Sequence, residues 1–174
     1  VCRLEIARGA GVPSVELWFF SLLGRVGMGL PANDPFECAD ELLAEIPMPR
    51  GARPIILVDA HMEATAEKAA LAMHLDGRVT AVLGTHTHIP TADARILPGG
   101  TAFQTDVGMC GPYNSIIGRD PTPVLRHMRT SVHTPYEMGK SGERISGAVV
   151  EVDLKTSLAR SIVSFVRPGF ESGN

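Results

Sequence analysis

Two short apolar runs, Ile55-Ile56-Leu57-Val58 and Val79-Thr80-Ala81-Val82-Leu83, lie one helix-length apart, and that arrangement restricts the fold more than any other feature of the chain. Runs this short read as buried strands, over 54–58 and 79–83. Residues 64–75 between them are rich in alanine, with Ala69, Ala70, Ala72 and Met73 available to pack, and Asp76-Gly77 stops the helix. Upstream, residues 15–20 read as another strand. Asn33-Asp34-Pro35 then opens a helix over 36–45, a side-chain cap followed by proline in the first turn. Strands alternating with helices point to a layered α/β fold.

The second half reads differently. Residues 94–97 and 101–105 flank Pro98-Gly99-Gly100, a hairpin signal. Residues 106–118 carry three glycines and a proline and read as a structured loop, followed by a short helix over 121–129. Residues 147–154 and 159–166 read as antiparallel strands joined by Lys155-Thr156-Ser157, and the tail from 168 to 174 as frayed. Alternation followed by hairpins predicts a mixed sheet or two packed sheets in one domain covering 1–174.

Composition narrows the function. With 44% apolar residues, 20% charged and a net charge of -3, the surface is not built to hold nucleic acid by general electrostatics. Aromatic residues at 5% are too few for stacking platforms along single strands. Cys2, Cys38 and Cys110 are odd in number, widely spaced and without a zinc-type spacing, which suits a reduced, cytoplasmic setting. The apolar stretch 15–23 is too short for a bilayer, is interrupted by Glu16 and lacks the marks of a secretory leader, so no membrane role is expected.

The chemistry gathers at the strand ends. Gly84-Thr85-His86-Thr87-His88 follows one apolar run, and His61 follows the other through Asp59 and Ala60. Neutral imidazoles at strand ends grip transition metals, and layered α/β folds collect ligands at the carboxyl ends of their strands. If strand alternation persists, His86 and His88 point the same way, while Thr85 and Thr87 turn toward backbone or supporting groups. Asp59 either orients a histidine or joins Glu63 near the start of the next helix, where anions are favoured; Glu63 fits the helix role better. His74 suits the carboxyl end of its helix, and His127 and His133 lie with Arg126 and Arg129 on a solvated face. Cys110, in a glycine-flanked loop, is a candidate reactive thiol, but a small buried cysteine is the commoner case and the reading adopted. No nucleophile elbow, phosphate loop or dinucleotide signature occurs.

The segment Val58-Asp59-Ala60-His61-Met62-Glu63-Ala64-Thr65-Ala66-Glu67-Lys68 resembles the VDFHAEATSEK segment of the YmdB-like phosphodiesterases, within the calcineurin-like metallophosphoesterase superfamily. Leu75-Asp76-Gly77-Arg78-Val79, Gly84-Thr85-His86-Thr87-His88, Thr91-Ala92-Asp93, Ile96-Leu97-Pro98-Gly99-Gly100-Thr101-Ala102, Thr105-Asp106-Val107-Gly108-Met109 and Ser115-Ile116-Ile117-Gly118 extend the likeness. Leu23-Gly24-Arg25-Val26 and Asp34-Pro35-Phe36 resemble the family's upstream segment. Ala60 and Met62 depart from it, standing where the family usually has an aromatic residue and an alanine.

That resemblance implies a metallophosphoesterase-type β-sandwich flanked by helices. It also implies a dinuclear centre, with two divalent or mixed-valence metal ions (iron or manganese before zinc), that hydrolyses phosphodiesters such as 2',3'-cyclic nucleotides. By motif match His61, His86 and His88 are metal ligands. The family's early metal-binding aspartate, its Glu-Asn pair and its Asn-His motif with the general acid have no counterpart before Val15. The chain therefore reads as the C-terminal portion of such a domain, with the first strands absent, weak metal binding and little hydrolysis on its own. Missing strands would leave apolar sheet surface open and favour homo-oligomers. The expected partner is a small phosphodiester or nucleotide, or an RNA-derived end. The competing readings are a non-catalytic binding or regulatory module that keeps the fold, and a mononuclear zinc hydrolase using the three histidines and water.

Overall fold

In a computed structural model the described residues are 1–6, 14–48 and 53–169; of the tail expected to fray, 170–174 lie outside them. Nine strands and three helices are described in chain order. They are β1 (Cys2–Ile6), β2 (Val15–Leu23), α1 (Pro35–Glu45), β3 (Ile55–His61), α2 (Thr65–His74), β4 (Ala81–Thr85), β5 (Arg95–Ile96), β6 (Ala102–Gln104), β7 (Gly111–Pro112), α3 (Pro121–Thr130), β8 (Glu143–Val152) and β9 (Ala159–Pro168). No described helix is long and apolar enough to cross a membrane.

The two halves make two sheets. Six strands run in the order β1-β2-β3-β4-β6-β5, with β2, β3, β4 and β6 parallel and β1 and β5 antiparallel at the edges. Strands β7, β8 and β9 form a separate antiparallel sheet, which packs through β9 against β5 and β6. The expected hairpin around Pro98-Gly99-Gly100 is the β5–β6 pair. Asp76 locks it, one carboxylate oxygen accepting from the Gly99 amide at 2.7 Å and the other from the Thr101 amide at 3.3 Å.

Strand alternation divides the large sheet chemically. Phe20 and Leu22 of β2, Ile56, Val58 and Ala60 of β3, and Val82 of β4 face one way into a core completed by Ala39 and Leu43 of α1 and Leu71 and Ala72 of α2. Asp34 caps α1 as its sequence promised, accepting from the Phe36 amide at 2.8 Å. The opposite face carries Ser21, Asp59, His61 and Thr85, and there Phe19 and Leu23 remain exposed.

Both central strands run past their last apolar residue. Pairing continues through Asp59↔Leu83 and His61↔Thr85, so β3 ends at His61 and β4 at Thr85. Polar side chains at a strand end erase the apolar pattern without stopping the backbone ladder. Strand β1, exposed along its whole length, was beyond the reach of hydropathy; it pairs with β2 from Cys2↔Phe19 to Ile6↔Val15. The three cysteines are all unpaired, and Cys110 is exposed rather than buried, its loop lying on the surface.

Candidate metal centre

The register of β3 and β4 sets Thr85 opposite His61 on the same face. The Thr85 hydroxyl donates to Asp59 Oδ1 at 2.6 Å and stands 2.9 Å from His61 Nδ1. Asp59 Oδ2 accepts from the Ser21 hydroxyl at 2.7 Å. Asp59 thus supports a histidine, and it does so through Thr85. His61 Nε2 faces His86 Nδ1 at 3.2 Å, the rings meeting edge to face with centroids 4.9 Å apart. His86 Nε2 in turn lies 3.2 Å from Glu63 Oε2. Glu63 precedes α2 and turns to His86; the acidic residue in the first helical turn is Glu67, which accepts from the Arg25 amide at 2.8 Å.

These contacts leave one nitrogen of each ring directed at the other. Two imidazole nitrogens bound to one metal at about 2.1 Å stand roughly 3.0–3.4 Å apart in octahedral or tetrahedral shells. The His61–His86 separation of 3.2 Å fits that spacing. A carboxylate on the far nitrogen of His86 and a hydroxyl on the far nitrogen of His61 are the supports that metal-binding histidines require. The pair therefore fits two ligands of one ion.

His88 is placed differently. Strand β4 ends at Thr85, and His86 and His88 both have left-handed backbone angles, φ 93° and 70°. Period-two alternation therefore does not govern them, and the expectation that they share a direction for that reason fails. Such angles are costly for residues with a Cβ and occur where surrounding contacts enforce them. His88 Nδ1 donates to the Ile117 carbonyl at 3.1 Å. Among the described residues, no three His, Cys, Asp or Glu side chains gather closely enough to hold a metal. The structure brings His61 and His86 together and leaves His88 outside that pair.

Beneath this loop lies an ion pair that sequence reading missed. Lys68 Nζ is 3.0 Å from Asp106 Oδ2, and both side chains are fully buried. The same oxygen accepts from the Thr87 amide at 3.0 Å and the Thr87 hydroxyl at 2.7 Å, while Oδ1 accepts from the Gly108 amide at 2.8 Å. Asp106 thereby grips the residue between His86 and His88. A signal existed: Lys68 shares the i, i+3, i+4 face of α2 with buried Leu71 and Ala72, an odd place for an unpaired cation.

Asp93 braces the neighbouring strand end, accepting from the Thr105 hydroxyl and the Thr91 hydroxyl at 2.6 Å each and from the Thr105 amide at 3.1 Å. Burial pushes its pKa up, but the hydrogen bonds from Thr105 and Thr91 outweigh it and hold the carboxyl below the ordinary aspartate range. A depressed folded pKa adds stability that is complete above the unfolded value and disappears as pH falls through the folded one. The stability advantage of the native chain over Asp93→Asn is therefore expected to shrink as pH drops below about 4. Denaturant unfolding of both chains across that range checks this; a gap that stays constant with pH would refute it.

The chain belongs to the YmdB-like protein family, whose family model matches residues 8–165. It is 44% identical over 147 residues to a 2',3'-cyclic-nucleotide 2'-phosphodiesterase of Bacillus subtilis (strain 168), a match covering 84% of this chain and 54% of that protein. The crystal structure of a hypothetical protein from Thermus thermophilus is similar with a TM-score of 0.80 and 38% identity, over 95% of this chain and 61% of that one. The crystal structure of a novel phosphatase from Mycoplasma pneumoniae is similar with a TM-score of 0.81 and 33% identity, over 95% of this chain and 57% of that one. The mixed α/β fold is thus shared with a solved phosphatase. The chain spans about half the length of the curated relatives it matches.

Proposed function

We propose that this chain carries the histidine part of a metal-dependent phosphodiesterase that cleaves phosphodiesters such as 2',3'-cyclic nucleotides. The observation that carries this reading is the His61 Nε2–His86 Nδ1 pair at 3.2 Å, each ring braced on its far nitrogen. The Bacillus subtilis relative, named for that activity, supplies the substrate class. His61, His86 and His88 are the metal-ligating residues of the proposal. His88, held by the Ile117 carbonyl through Nδ1, keeps Nε2 as its donor. Two bound metal ions, iron or manganese before zinc, would supply Lewis acidity toward phosphate oxygens and an activated water.

What the chain's own residues do follows from their contacts. Asp59, Thr85 and Glu63 orient the imidazoles, and Lys68 with Asp106 holds the loop that carries two of them. Three histidines are too few for two metals, so on this reading the remaining ligands and the general acid are groups other than these three imidazoles. On this reading the partner is a small nucleotide diester or an RNA-derived end, the setting is cytoplasmic, and self-association would cover the apolar residues exposed beside the site.

Titration of the chain with Mn(II) and Co(II), followed by metal analysis, tests the proposal. Weak binding is expected, reduced at least tenfold in His61→Ala and His86→Ala, with little cleavage of a 2',3'-cyclic nucleotide by the chain alone. Binding unchanged in both variants would defeat the assignment. One tightly held zinc would instead establish the mononuclear reading. Robust manganese- or iron-dependent cleavage by these 174 residues would overturn the divided site.

A further inference from the structure

We infer that Asp59 and Thr85 are positioning residues that select the tautomer of His61: the Thr85 hydroxyl, committed to Asp59, obliges His61 to carry its proton on Nδ1 and turn a bare Nε2 toward His86. The inference rests on the proposed function only for its metal-binding readout.

The argument is a count of protons. A threonine hydroxyl has one proton to give and lone pairs to accept with, whereas a carboxylate only accepts. Thr85 Oγ1 lies 2.6 Å from Asp59 Oδ1, so its proton goes there. What Thr85 presents to His61 Nδ1 at 2.9 Å is then a lone pair. A neutral imidazole can satisfy that contact only as the Nδ1–H tautomer. Its Nε2 is left as an acceptor, 3.2 Å from His86 Nδ1.

Strand geometry enforces the direction of this relay. The pairs Ser21↔Asp59 and His61↔Thr85 place all four side chains on one face of three adjacent strands. Ser21 donates to the other carboxylate oxygen of Asp59 at 2.7 Å, holding the acceptor in place. Every hydrogen bond in the series Ser21, Asp59, Thr85, His61 therefore has an assigned donor, and none can reverse without removing the carboxylate. The device makes His61 a metal ligand through Nε2 before any metal arrives.

The test uses the full chain, metal-free and uniformly labelled with nitrogen-15, at a pH where imidazole is neutral. Long-range proton–nitrogen correlations distinguish protonated from bare ring nitrogens, and the His61 signals are assigned by their loss in His61→Gln. In the native chain and in Thr85→Ser, His61 should show a protonated Nδ1 and a bare Nε2. In Thr85→Val that pattern should be lost. In Asp59→Asn it should reverse, because an amide can donate to Thr85 and free the hydroxyl proton for His61. The second variant keeps the test decisive if the first does not fold, as thermal unfolding will show. Co(II) affinity should fall ten- to a hundredfold in Thr85→Val and recover in Thr85→Ser. A His61 that keeps Nδ1–H in both Thr85→Val and Asp59→Asn overturns the relay. The expected tautomers without Co(II) binding to any chain would sustain the relay and defeat the metal reading instead.

Discussion

Replacing Lys68 with methionine is expected to destabilise the chain by about 3–5 kcal/mol, the cost of stranding a buried carboxylate without its counter-charge. Methionine matches the length of the lysine stem, so the variant removes charge and leaves packing nearly intact. Asp106, fully buried, would retain only the neutral donors of Thr87 and Gly108. Urea unfolding measures the loss, and the double variant Lys68→Met with Asp106→Asn should recover part of it because no buried charge then remains unpaired. A single-variant loss below about 1 kcal/mol would show that the pair is not held as buried ions. The consequence reaches the site, since Asp106 fixes Thr87 between His86 and His88. Metal affinity should fall in Lys68→Met even in conditions where the chain stays folded.

Alanine at Gly84 should be comparably damaging. A Cβ there would overlap the Thr105 carbonyl oxygen and lie 2.9 Å from Lys68 Cδ. The first neighbour is backbone at the end of β6, and the Gly84 carbonyl is itself bonded to the Val107 amide at 2.9 Å. Neither strand can yield without breaking the ladder, so a loss of at least about 3 kcal/mol, or failure to fold, is expected. Gly29→Ala makes the comparison: its Cβ would meet nothing within 4 Å, and its φ of +65° costs only about 1–2 kcal/mol. Equal effects at the two positions would show that close approach, rather than backbone conformation, had been overrated.

Local patterns carried the order of elements. The apolar runs became β3 and β4, the alanine-rich segment became α2, and Asp34-Pro35 began α1 where a cap and a proline belong. Such features depend on neighbours within a few residues, which is why they were legible. Strand ends were not, because Asp59, His61 and Thr85 are polar and only pairing with the adjacent strand shows that the backbone remains extended. Strand β1 was invisible for a related reason: an exposed edge has no burial pattern to display.

The site divides along the same line. His61 and His86 were nameable from residue type, position after an apolar run, and likeness to a family motif. Their contact joins positions 25 residues apart and follows from the register of two parallel strands together with the left-handed turn at His86. The role of Glu63, the relay through Thr85, the departure of His88 toward Ile117 and the burial of Lys68 against Asp106 arise in the same way. By itself, the sequence determined most of the elements, their order, and which histidines are candidates for the chemistry, because those depend on local propensity and on the periodicity of burial. Only the tertiary structure decided which of those side chains meet and through which atoms, because a hydrogen bond between distant residues is set by strand register and loop conformation, neither of which leaves a local trace.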